Sequence, residues 1–282
     1  MGEVAPVRRR ILGAALRRYR VQRGLSLDDA ARMLGCDRSK ISRIENGLRG
    51  LRERDLAALL AEYGAGSGER AALMALAGPR AGEGWWQAYR GVLPAAAVEH
   101  AGLEAAASRL LVYEPQRVPA LTRSGGYSRA IAEHDPAVPA GTAEAAAEFT
   151  ALRQQAVLGS GHRELVMVIG EAALRQRAGG AGIMRAQLER LAGLSGQGGP
   201  LAVHVLPFAS GAHAGAGSGP FTVFGFDQAP GLGVVHVDSV TGGVFLDSPA
   251  DLAACTFAFT RLTASALSRE DTARLLGRMA GR

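Results

Sequence analysis

Arg38, Ser39, Lys40 and Arg43 crowd into the stretch RSKISRIENG, residues 38–47. These side chains can donate to nucleic acid: an arginine fork matches guanine O6 and N7, while lysine and asparagine reach phosphate oxygens. To do so they must share one exposed face of an element that fits a major groove about 12 Å wide. Ile41 and Ile44 supply the opposite face. The spacing therefore predicts a short helix over Arg38–Glu45 with Arg38, Ser39, Lys40, Ser42 and Arg43 facing out. Taken alone, such a charged helix is more often a solvated face, so the neighbouring elements decide the reading.

Upstream, Leu27, Ala30, Ala31 and Leu34 fall at i, i+3, i+4 and i+7, one apolar face of a preceding helix. Ser26, with Asp29 three residues on, forms a capping-box pattern at its start. Gly35 suits the positive φ of a helix end, and Asp37 can cap the helix that follows. Earlier still, Leu12, Ala15, Leu16 and Tyr19 mark a first helix closed by Gly24. Downstream, Leu56, Leu59, Leu60 and Tyr63 mark a fourth helix, and Gly68–Ala77 a fifth. Residues 1–7 read as a tail. The Arg8, Arg9, Arg10 cluster reads either as a DNA-backbone contact or as a solvated helix start.

The stretch LRRYRVQRGLSLDDAARMLGCDRSKISRIENG resembles the helix-turn-helix domain of the XRE/Cro-repressor family over roughly residues 8–78. The resemblance implies a five-helix, lambda-repressor-like fold. In it Arg38, Ser39 and Arg43 read bases, and Lys40 and Asn46 lie where such domains meet phosphates, with Arg49 and Arg8–Arg10 added to that set. It also implies a structural pair, Arg20 with Glu45. Leu27 stands where the family often has a phosphate-gripping Gln.

Composition points the same way. The first 80 residues carry 16 Lys/Arg and 9 Asp/Glu, whereas the remaining 202 carry 16 and 17. A basic module on a near-neutral remainder is the electrostatic footprint of a DNA-binding domain joined to something else. No apolar run approaches a membrane span and no secretory signal is evident, so the expected location is cytoplasmic. Cys36 and Cys255 form neither a disulfide framework nor a metal spacing.

Gly78-Pro79, Gly82 and Gly84 suggest a domain boundary, with a second domain over 85–280. Trp85-Trp86 then read as a helical site of packing between domains or, less naturally, as a ligand platform. Helical patterns follow at 99–109, 126–133 and 142–158, with a strand and extended loop at 110–121. LVMVI (165–169) and LAVHVLPF (201–208) read as buried strands of a βαβ unit. PFTVFGF, GVVHV and GGVFL read as an antiparallel meander, and two helices close the chain, near 249–265 and 269–279. The expected architecture is an all-α five-helix domain followed by an α/β or α+β domain with a mixed sheet.

The blocks VYEPQRVPALTRSGGYSRA, ELVMVIGEAALR, MRAQLERL, VHVLPFASGAHAG and GPFTVFGFD resemble the C-terminal domain of a large group of actinobacterial, antitoxin-like regulators. Members pair it with an XRE-type N-terminus and often neighbour a gene for a small partner protein. Thr122-Arg123-Ser124 stand where many relatives read Leu-Gln-Thr.

Catalytic patterns are missing from the sequence. None of His100, His134, His162, His204, His213 and His236 pairs with another at helical spacing, and zinc motifs, GxSxG and GxxxxGK[ST] do not occur. No metal or cofactor is expected. His204 and His236 alternate with apolar residues on strands, pointing away from the core-facing valines. They either line a pocket or make a hydrogen bond at a sheet face. Gly211–Gly219 is either a loop over a ligand site or plain linkage. Trp85, Trp86, His204, His213 and His236 are the candidate pocket residues. The expected function is sequence-specific regulation of transcription by a homodimer on double-stranded DNA, the second domain answering to a small-molecule effector or a protein partner. An antitoxin-like binding module and a recruited biosynthetic enzyme are the alternatives.

Overall fold

The computed structural model describes residues 6–77, 84–159, 164–196, 199–226, 232–240 and 242–281. The expected break at Gly78-Pro79 and Gly82 lies outside these residues, as does His162.

Five helices form the first half: α1 (Val7–Gln22), α2 (Leu27–Met33), α3 (Arg38–Glu45), α4 (Glu53–Glu62) and α5 (Ser67–Ala77). α1 begins already at Val7, which is buried, so the expected tail is shorter than residues 1–7. Local chemistry sets the turn between α2 and α3. Ser26 Oγ accepts from Asp29 N while Asp29 accepts from Ser26 N, the reciprocal capping box. Gly35 then takes φ +58°, which side chains rarely adopt, and Asp37 caps α3. Leu12, Ala15 and Leu16 of α1, Ile41 and Ile44 of α3, and Leu56, Leu59 and Leu60 of α4 are all buried together.

The second half opens with a 3₁₀ turn, Trp85–Tyr89, rather than an α-helix. α6 (Ala95–Ala106) sits earlier than the 99–109 expected, because Pro94 starts it and Ala107 is extended. Then come β1 (Arg109–Glu114), a 3₁₀ turn at Ala120–Thr122, α7 (Gly125–Ala132), α8 (Ala143–Leu158), β2 (Glu164–Gly170), α9 (Glu171–Arg175), α10 (Ala181–Gly196) and β3 (Leu201–Leu206). β4 (Phe221–Gly225), β5 (Gly233–Val237), β6 (Val244–Leu246), α11 (Pro249–Ser265) and α12 (Arg269–Ala280) complete the chain.

Among the described residues, six strands form one mixed sheet in the order β3-β2-β1-β4-β5-β6. β2 pairs with β3 and β1 in parallel, while β4, β5 and β6 form the antiparallel meander. β1 joins the two parts, parallel to β2 on one side and antiparallel to β4 on the other.

Both sheet faces are covered, which explains the unalternating apolar strands. Leu111, Tyr113, Val223 and Val235 pack with Phe259 and Leu262 of α11. The other face puts Leu110, Met167, Phe224 and Val234 into a cluster that continues through Leu103 into the helical half, as far as Leu16 and Ile41. His236 lies on this second face, so it does not point away from a core as the alternation predicts. It points into a second one.

Candidate nucleic-acid interface and a charged cavity

α3 presents Arg38, Ser39 and Arg43 to solvent, opposite the buried Ile41 and Ile44. Arg38 lies 3.7 Å from Asp28 in a pair more than half exposed on both sides, an interaction worth little in water. Ser39 Oγ donates to Asp37, and Arg43 Nε makes a long 3.4 Å contact to Ser39 O. None of these contacts is strong enough to keep the three side chains from a groove.

The scaffold behind α3 is firm. Arg20 Nε and Nη2 donate to Glu45 Oε1 and Oε2 at 2.6 and 2.8 Å, and Nη1 donates to Leu25 O at 2.7 Å. This bidentate pair is buried and satisfied, so it fixes orientation even where its net energy is small. Gly13 of α1 faces the end of α3, where a Cβ would stand 2.5 Å from the carbonyl oxygens of Ile44 and Glu45. Only glycine allows so close an approach.

The phosphate candidates divide. Arg9 and Arg49 are exposed, Lys40 is half-buried, and Asn46 Nδ2 donates to Ser42 O at 2.8 Å at the end of α3. Arg8 and Arg10 turn the other way, which corrects the expectation that they reach DNA. Arg8 Nε donates to Leu76 O at 3.0 Å, its backbone N donates to Glu99 Oε1 at 3.1 Å, and its guanidinium lies 5.9 Å from the Trp86 ring centre. Burial, opposed by Glu99, pulls the Arg8 pKa below its ordinary value. Arg10 Nε donates to Asp247 at 3.0 Å. Both arginines therefore join α1 to the second half.

The pocket expected around Trp85, Trp86, His204, His213 and His236 is corrected in four of its five members. Trp86 is buried against Val98 and Ala101, and Trp85 packs edge-on with Tyr89 and at 5.3 Å from Phe149. His204 Nδ1 sits 2.9 Å from Leu267 O, and His213 Nδ1 accepts from Gly215 N within its own loop. Of the five, His236 alone lines the cavity of about 210 Å³ between the sheet and helices α6, α7 and α8.

That cavity is built largely of charges the sequence reading did not single out. Arg153 Nε and Nη2 donate to Glu104 at 2.8 and 2.7 Å. Burial alone would raise the Glu104 pKa, but Arg153 and then His100 hold it well below the carboxylate range. Arg117 Nε donates to both Glu114 oxygens at 3.1 and 3.2 Å, and its other nitrogens meet Asp238 and Asp135. Burial pushes Glu114 up to about 7, against the pull of Arg117 and Arg123. His100 Nδ1 lies 3.3 Å from His236 Nδ1, and His100 Nε2 lies 3.3 Å from Glu104. Burial, and then His100, lower His236 to about 4 despite nearby Asp238. The pair is 136 residues apart, so no local spacing could reveal it. The readable signals are carboxylates in apolar settings: Glu104 within the alanine-rich α6 and Glu114 at the end of LLVY.

Among the described residues no three His, Cys, Asp or Glu gather as a metal site, and no helix is long and apolar enough to cross a membrane. Comparison with known families matches residues 11–73 to a helix-turn-helix domain, the type that binds DNA. No curated protein and no solved structure matches the chain. The architecture is thus that of a helix-turn-helix regulator, and residues 98–278 place the chain in the family defined by the domain of unknown function DUF5753.

Proposed function

We propose that the protein is a sequence-specific transcriptional regulator of the XRE/Cro type and acts as a cytoplasmic homodimer. α3 enters the major groove; Arg38, Ser39 and Arg43 read bases; Arg9, Lys40, Asn46 and Arg49 hold phosphates. The observation that carries the reading is the exposed cationic face of α3 held by the buried Arg20–Glu45 pair and the Gly13 contact. A two-fold dimer would place its half-sites about one helical turn apart, ~34 Å. The second domain receives the signal, from a small-molecule effector or a small protein partner, in keeping with the actinobacterial antitoxin-like group it resembles. It is assigned no catalytic role.

Fluorescence anisotropy tests this with a duplex from upstream of the protein's own gene against a scrambled duplex, across a salt series. Preference that persists near physiological salt is the expected result, and the slope counts phosphate contacts. No binding to either duplex at low salt would remove the regulator reading.

A further inference from the structure

Three guanidiniums line the cavity of the second domain: Arg117, Arg123 and Arg153. Two of them are ion-paired with carboxylates of the cavity. Arg153 is clamped by Glu104, and Arg117 is shared among Glu114, Asp135 and Asp238. Arg123 differs. Its Nε donates to Val118 O at 2.7 Å, and its guanidinium lies 5.9 Å from the Tyr127 ring centre. Its two terminal nitrogens have no hydrogen-bond partner among the described residues, yet Arg123 is only 9% exposed. Burial, and then Arg117, lower its pKa to about 10, which leaves it charged at neutral pH.

Each of the four acids lining the cavity already meets an arginine, Asp135 through Arg117 at 3.6 Å. Both oxygens of Glu104 and of Glu114 accept from arginine, and Asp238 lies between Arg117 and His236. The terminal nitrogens of Arg123 open on the cavity without an acceptor among the described residues. A buried cation with open donors is satisfied by an anion of matching fork geometry. The walls nearby are apolar, with Val112, Leu121, Ile131, Phe149 and Met167 among them. They favour an organic body behind the anionic end. An inorganic phosphate would bring a second charge close to Glu114 and Asp238.

We propose that this cavity binds a small organic carboxylate, whose anionic end is met by the terminal nitrogens of Arg123. The proposal rests on the effector reading of the second domain and supplies its ligand class and its anchoring residue.

Isothermal titration of the full chain with acetate, benzoate and inorganic phosphate tests it, with no DNA present. Failure to find an operator therefore leaves this test untouched, and failure here leaves the reading face of α3 untouched. Saturable binding of a carboxylate, one per chain, is expected, weakened at least about tenfold in Arg123→Gln. Ala97→Phe fills the cavity from α6 with Arg123 in place, so it should abolish the binding and stands in if Arg123→Gln fails to fold by circular dichroism. Undiminished binding in either folded variant overturns the proposal. So does the lack of binding of both carboxylates to the folded protein, and phosphate binding in their place overturns the carboxylate assignment.

Discussion

Arg43 stands exposed on α3 with one long contact to Ser39 O, so reaching a base breaks little. Arg43→Ala should cost about 1–3 kcal/mol of binding, confined to one base position. A loss equal for every duplex in a competition series would assign Arg43 to phosphate instead. His236 offers a test independent of DNA. The unfolded chain takes up this proton near pH 6.5 and the folded one only near 4. Between these values unfolding binds a proton, so stability falls as pH falls. The lost contribution is on the order of 3 kcal/mol across that window. Urea unfolding at several pH values should show the loss as the difference between the native chain and His236→Gln, because Glu114, raised to about 7 in both, contributes a pH dependence of opposite sign. The residue scale is also where the sequence is hardest to read. The α3 side chains are legible because their partners are neighbours in a helix. The cavity joins Glu104, Glu114, Arg153 and His236 from separate elements, so long-range packing alone brings them together. Thr122-Arg123-Ser124, which departs from the resembled group's Leu-Gln-Thr, is a local mark at that spot.

At the scale of elements, α1 and α3 meet at Gly13 with no room for a methyl group. Gly13→Ala must push the helices apart, at about 1–3 kcal/mol by thermal melting, and should weaken specific DNA binding in parallel. An unchanged melting temperature would mean that the helices slide without cost. The helices of the first half are legible because their 3.6-residue periods are strong and their caps are local. β2, β3 and the β4–β6 meander are legible for another reason, as short apolar runs bounded by turn residues. What the sequence leaves out is the position of β1. It runs parallel to one neighbour and antiparallel to the other, and both its faces are buried, so its apolar run states burial but not direction.

At the scale of the molecule, three adjacent arginines have different fates. Arg9 is exposed, whereas Arg8 and Arg10 bond to other parts of the fold. Arg9→Ala should lower the slope of log affinity against log salt by about one, and Arg10→Ala should leave it unchanged. Equal effects would return Arg10 to the phosphate set. The geometry has a mechanical corollary. α1 is tethered to Asp247 and Glu99 at its start, pressed on α3 at Gly13 and clasped to Glu45 at its far end. These contacts make α1 a stiff lever between the second half and the reading face of α3. Inserting three glycines between residues 80 and 81 should leave the preferred spacing of the half-sites unaltered, as read by binding to duplexes with added base pairs, whereas cutting the tether with Asp247→Ala and Glu99→Ala together should relax it.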